Sequence, residues 1–174
     1  MIKQVIRWMQ DFVEKPNKDF GGLPACPFAK EARKKDKIKF VEFNNDRPDS
    51  EIEQYIYNMN FDRYDATVII FEKDRWTAKE TFKIARELEA KAEKEGVLLG
   101  EDHPEMIETV GSSKINNGDY IIFFLQNLQQ VEDAAVKLRK TSYYDVWKKD
   151  NPYDIDNPDN YNIRHEKYKL KFGN

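Results

Sequence analysis

Cysteine is almost missing from this chain: Cys26 is the only one in 174 residues. A lone thiol excludes an internal disulfide and fits a reducing compartment. Histidine is nearly as scarce, with His103 and His165 alone. Dense metal motifs such as paired Cys-x-x-Cys or His-Glu-x-x-His are therefore absent, and a metal site would have to gather ligands from distant segments. No apolar run reaches the length of a membrane span; the longest are 66–71 and 120–125. The opening residues, Met1-Ile2-Lys3-Gln4-Val5, have no continuous apolar core and no small-residue cleavage site, so no signal peptide is expected. These absences together predict a cytoplasmic protein with no membrane attachment.

A large excess of charge of one sign is missing too. Lys and Arg number 29 against 32 Asp and Glu, a formal net charge of -3, which provides no global attraction to nucleic acid or acidic lipid. The charge is uneven: 30–39 holds six basic and two acidic residues, whereas 150–160 holds four Asp and no base. Both blocks read as solvated faces. What the chain has is aromatic and charged side chains, with 13% Phe, Trp and Tyr inside a 40% hydrophobic fraction and 35% charged residues. That balance suits one domain with a modest core and a wet surface.

Ile2, Val5, Ile6, Met9, Phe12 and Val13 recur at helical spacing, and Pro16 closes that helix. A loop dense in breakers follows, and Pro27 suits a first helical position, which puts Cys26 at or near an N-cap before a short helix over 27–35. Residues 37–43 alternate as a strand. Asp49 or Ser50 can cap a helix that turns Ile52, Tyr55, Ile56 and Met59 inward. The β-branched residues of 66–71 predict a buried second strand. Thr77 and Glu80 form a capping box that opens the longest helix, ended by Gly96. Residues 97–99 form a short third strand. An irregular stretch over 100–119 carries a turn at Asn117-Gly118. A fourth strand spans 120–125, and a helix from Asn127 is expected to bury Leu128, Val131, Ala135 and Leu138.

The pattern predicts an α/β (α+β) domain over 1–140: a four-stranded mixed sheet with packed helices, two of them N-terminal. Strand order does not follow from it. An irregular arm over 141–174 carries Tyr143, Tyr144, Trp147, Tyr153, Tyr161, Tyr168 and Phe172. So many rings argue against an idle tail and for an arm that wraps its own domain, a protein partner or a second copy.

Two residues stand out chemically. A cysteine at a helix N-terminus, with Lys30 and Arg33 a turn further on, is placed to favour thiolate; a small apolar residue that simply packs fits the position equally well. His103 follows the third strand, flanked by Glu101, Asp102 and Glu105, where open α/β sheets usually bind ligands. It suits a base, a metal ligand or a solubilising surface residue. Paired, Cys26 and His103 would support acyl transfer, hydrolysis or thiol redox chemistry. Cys26, His103 and Asp102 are the candidate metal ligands. Gly111-Ser-Ser-Lys114 lacks the spacing of a phosphate loop, and no motif names a cofactor.

The segments Gly22-Leu-Pro-Ala-Cys-Pro-Phe-Ala-Lys30 and Gly96-Val-Leu-Leu-Gly-Glu-Asp-His-Pro104 resemble two landmarks of a bacterial family catalogued as domain of unknown function fourteen-fifteen. The resemblance covers about residues 1–140 in order and spacing. It implies that Cys26 and His103 are the positions to test first, and brings no activity, substrate or cofactor with it. The chain departs from the family pattern at Glu105-Met-Ile-Glu108, at Asn116-Asn-Gly-Asp119 and beyond Lys149. Three expectations follow: a Cys26/His103 enzyme or degenerate relative, a non-catalytic interaction or assembly protein, and a metal-binding protein.

Overall fold

The computed structural model describes residues 1–43, 50–106 and 109–146. The amphipathic stripe near the N-terminus forms helix α1 (Ile2–Trp8), which widens into a π-helical turn over Met9–Val13. The loop that follows doubles back: Asn17 N–H donates to Leu23 O at 3.0 Å, and Cys26 N–H donates to Val13 O at 3.1 Å. Gly21 adopts a left-handed φ of 62° there, a conformation that glycine tolerates best. A side chain at Gly21 would also run into the backbone of Ser142 at 2.5 Å. Helix α2 (Ala29–Lys34) comes next, with Phe28 as its N-cap. The expected cap at Cys26 is thus corrected by two residues: Cys26 sits in the preceding turn, its carbonyl accepting from Ala29 N–H at 3.2 Å.

Strand β1 (Ile38–Phe43), helix α3 (Ser50–Tyr57), strand β2 (Ala66–Phe71) and helix α4 (Ala78–Lys94) follow the sequence pattern closely. Thr77 and Glu80 make both hydrogen bonds of the capping box. Strand β3 (Val97–Asp102) runs three residues past the expected end. The stretch expected to be irregular contains a minimal hairpin, β4 (Thr109–Val110) with β5 (Ser113–Lys114). Strand β6 (Ile121–Asn127) and helix α5 (Leu128–Leu138) complete the described chain. The fold is α+β. Its four-stranded mixed sheet has the order β1-β2-β6-β3, with β1 parallel to β2, and β6 antiparallel to both β2 and β3.

Period-two alternation divides the apolar side chains between the two faces. Phe43, Ile69, Phe71, Leu99, Phe123 and Leu125 face α3 and α4, where Ile52, Ile56, Ala85 and Ala92 close the larger core. Ile38, Val68, Ile70 and Ile122 face the other way and meet Val5, Met9 and Ala29 from the N-terminal helices. Helix α5 stands over this second face but buries no residue fully. It is tied at its ends instead. Leu128 N–H donates to Gly96 O at 2.9 Å, and the turn after the helix is pinned by Tyr143, whose hydroxyl donates to Ala25 O. The expected burial of Leu128, Val131, Ala135 and Leu138 is not met, because all four are only half-buried.

Thr141–Val146 belongs with the packed domain: Tyr143 is 6% exposed and packs with Phe20 and Val110. The rest of the arm, from Trp147 on, lies outside the described residues. Among the described residues no helix is long and apolar enough to cross a membrane.

Candidate functional site: an apolar cleft beneath the last helix

Between α5 and the second face of the sheet lies a cleft of about 640 Å³. Its floor is made by Ile38, Ala66, Val68, Ile122 and Phe124. One wall comes from Val5, Trp8, Met9 and Val13 together with the Ala25–Ala29 turn, and the roof from Val131, Ala134, Ala135 and Leu138. Tyr143 and Tyr144 also line it. Val131, Ala134, Ala135 and Leu138 are half-buried because they face the cleft, with the sheet on its far side.

Cys26 lies in the wall of this cleft and packs with the second core. Burial pushes its thiol above the ordinary thiol value; the N–H groups of Phe28 and Ala29 act the other way, and the Glu14 carboxylate raises it further. The expected help from Arg33 is spent elsewhere. Arg33 forms a two-pronged pair with Glu14, Nε to Oε1 at 2.6 Å and Nη2 to Oε2 at 2.8 Å, with the Glu14 side chain only 4% exposed. Lys30 is exposed. The cation thought to favour thiolate is neutralised by a carboxylate that opposes it, so the thiol stays protonated at neutral pH. Burial likewise pushes the Tyr143 hydroxyl well above the ordinary phenol value, with Cys26 adding to the effect.

His103 sits elsewhere. It is 2% exposed, and both ring nitrogens are engaged. Nδ1 accepts from Glu105 N–H at 3.0 Å, which leaves the proton on Nε2, 2.8 Å from Trp76 O. Trp76 packs edge-on against Phe71, centroids 4.9 Å apart, and leads into the capping box of α4. His103 therefore fastens the start of α4 to the end of β3. Asn116 reinforces the same corner through the carbonyls of His103, Pro104 and Met106. At the end of β3, where open α/β sheets usually bind ligands, His103 is enclosed rather than open.

Cys26 and His103 are not brought together. Cys26 packs with the core on the second face of the sheet, whereas both ring nitrogens of His103 are taken by Trp76 and Glu105, and His103 does not line the cleft that Cys26 walls. Asp102, the third candidate ligand, alternates onto the face opposite His103, and its Oδ2 accepts from Asn117 N–H at 2.8 Å. Among the described residues no three His, Cys, Asp or Glu side chains gather closely enough to hold a metal ion.

Sequence reasoning reached Cys26 but missed the cleft around it. The signals were present as apolar stripes on α1 and α5, but a stripe does not tell whether its partner lies in contact or across a gap. No family model matches the chain, and neither the curated proteins nor the solved structures give a match.

Proposed function

We propose that this protein is a non-catalytic binding module and that the cleft beneath α5 is its working site. The observation that carries the reading is the setting of Cys26: a half-buried thiol in the wall of an apolar cleft, with no base beside it among its described partners. A nucleophilic cysteine needs a base within hydrogen-bond reach and a lowered pKa. Here the imidazole is engaged by Trp76 and Glu105 and the thiol is shifted upward. A cleft of this size, apolar with a few polar groups at its rim, has the character of a ligand site. On this reading the two landmarks shared with the unknown-function family, around Cys26 and His103, mark structural junctions rather than a catalytic pair.

The test is binding to the full-length chain. An uncharged solvatochromic naphthalene dye should bind saturably at one site and slow the alkylation of Cys26 by iodoacetamide. A dye that binds without protecting Cys26, or does not bind, overturns the reading.

A second reading concerns the arm over 141–174, as a contact with a protein partner or a second copy. It is favoured by Tyr143 and Tyr144, which place the start of the arm at the end of the cleft. Ending the chain after Val146 should then lower the association state seen by light scattering and leave the melting temperature in place. An unchanged association state refutes it.

A further inference from the structure

The make-up of the cleft also narrows the ligand class, and this step rests on the binding reading above. We propose that the cleft takes a small, predominantly hydrocarbon molecule that carries no negative charge. Three observations converge on this.

The first is size and closure. About 640 Å³ lies within the roughly 300–1,000 Å³ typical of small-molecule sites. The roof is also tied at both ends, through Leu128 N–H to Gly96 O and Tyr143 to Ala25 O. That arrangement admits a small molecule more readily than a peptide helix, which would have to lift α5 away.

The second is the wall. Trp8, Met9, Val68, Phe124, Val131 and Leu138 present hydrocarbon and ring surface. The two polar groups deep in the wall bring no charge. Cys26 is a protonated thiol, and the Tyr143 hydroxyl already donates to Ala25 O. A charged group carried inward would be desolvated without a compensating partner.

The third is the rim. Among the described residues its ionisable side chains are Asp65, Asp133 and Lys137, and its hydrogen-bonding groups are the amides of Gln126, Asn127 and Gln130. Among the described lining residues the carboxylates outnumber the cation, so an anionic head, such as that of a free fatty acid, meets net repulsion where it would have to sit. A neutral molecule with an amide-compatible polar group meets none.

Two dyes with the same aromatic body separate the cases: N-phenylnaphthylamine, uncharged, and anilinonaphthalene sulfonate, an anion. With full-length protein at low ionic strength, the uncharged dye should bind at least about tenfold more tightly. The double variant Asp65→Asn, Asp133→Asn should bring the two within about threefold. Ala135→Trp, which fills the roof, should abolish binding of the uncharged dye. If that variant melts early, protection of wild-type Cys26 from iodoacetamide locates the dye instead. Equal or tighter binding of the sulfonate to the wild type overturns the ligand class while leaving a binding module in place. Failure of both dyes to bind or to protect Cys26 overturns the binding reading, and the ligand class with it.

Discussion

Gly100 lies in β3 directly opposite Phe124 of β6, and exchanging it for alanine probes how the floor of the cleft is built. A Cβ at position 100 would stand 2.6 Å from Cδ2 and 2.7 Å from Cζ of Phe124, and closer still to Cε2. The Phe124 ring thus lies over bare backbone. It is half-buried and lines the cleft, so a methyl group beneath it pushes it towards the open side. Two terms compete. Removing glycine from a strand interior recovers roughly 0.5–1 kcal/mol of conformational entropy, while forcing a ring off its packed position costs about 1–3 kcal/mol. Gly100→Ala should therefore lose about 1 kcal/mol at the centre of these ranges, or about 2–4 °C in melting temperature for a chain of this length. Urea unfolding followed by circular dichroism measures the first quantity. The affinity of the uncharged dye should fall severalfold in the same variant, because the ring now occupies cleft volume. Shortening the ring with Phe124→Leu in the Gly100→Ala background should recover part of the stability, with a coupling of about 1 kcal/mol. A Gly100→Ala protein as stable as the wild type, with dye affinity unchanged, refutes this account of the floor.

The remaining predictions concern groups whose setting the fold determines. Alkylation of Cys26 against pH should show an inflection above the ordinary thiol value of about 8.5, and Glu14→Gln should move it down by removing the carboxylate that raises it. The same variant strands Arg33 and should cost about 2 kcal/mol in chemical denaturation. Cys26 and Tyr143 both hold their protons more tightly folded than unfolded. Stability should therefore be full below the ordinary thiol value and fall as pH rises from there, which alkaline melting curves will show. His103→Ala leaves Trp76 O and Glu105 N–H without their partner and should lose about 2–4 kcal/mol. Alkylation of Cys26 in the folded variant should be unaffected; a marked slowing would bring the Cys–His pair back. Hydrogen bonds from Ser113 and then Ser112 hold the Asp19 carboxyl below its usual value. The stability it contributes is present above about pH 4 and lost as pH falls, so Asp19→Asn should flatten the acid limb of a urea midpoint plotted against pH.

The sequence by itself determined the elements whose causes are local. Ala66–Phe71 was bounded to the residue, because a run of β-branched side chains specifies a strand without reference to anything distant. The capping box at Thr77 and Glu80, and the Asn127 cap accepting from Gln130 N–H, close within four residues and are legible in the same way. The mixed α+β class followed from the order of such elements. Only the tertiary structure decided the order β1-β2-β6-β3, since strand pairing depends on which faces can be covered and not on any one segment. It also decided which groups surround both candidate residues. Arg33 was read as a cation near Cys26, but Glu14, 19 positions earlier, claims it. His103 was read as a base, a metal ligand or a surface residue beyond β3, but Trp76, 27 positions earlier, engages its ring. The amphipathic stripe of α5 was correct as a pattern, yet periodicity records which side of a helix is apolar and nothing about how far away its partner stands. That distance is set by how α1, α2 and the 141–146 turn meet the sheet, and it turns an expected core contact into a cleft.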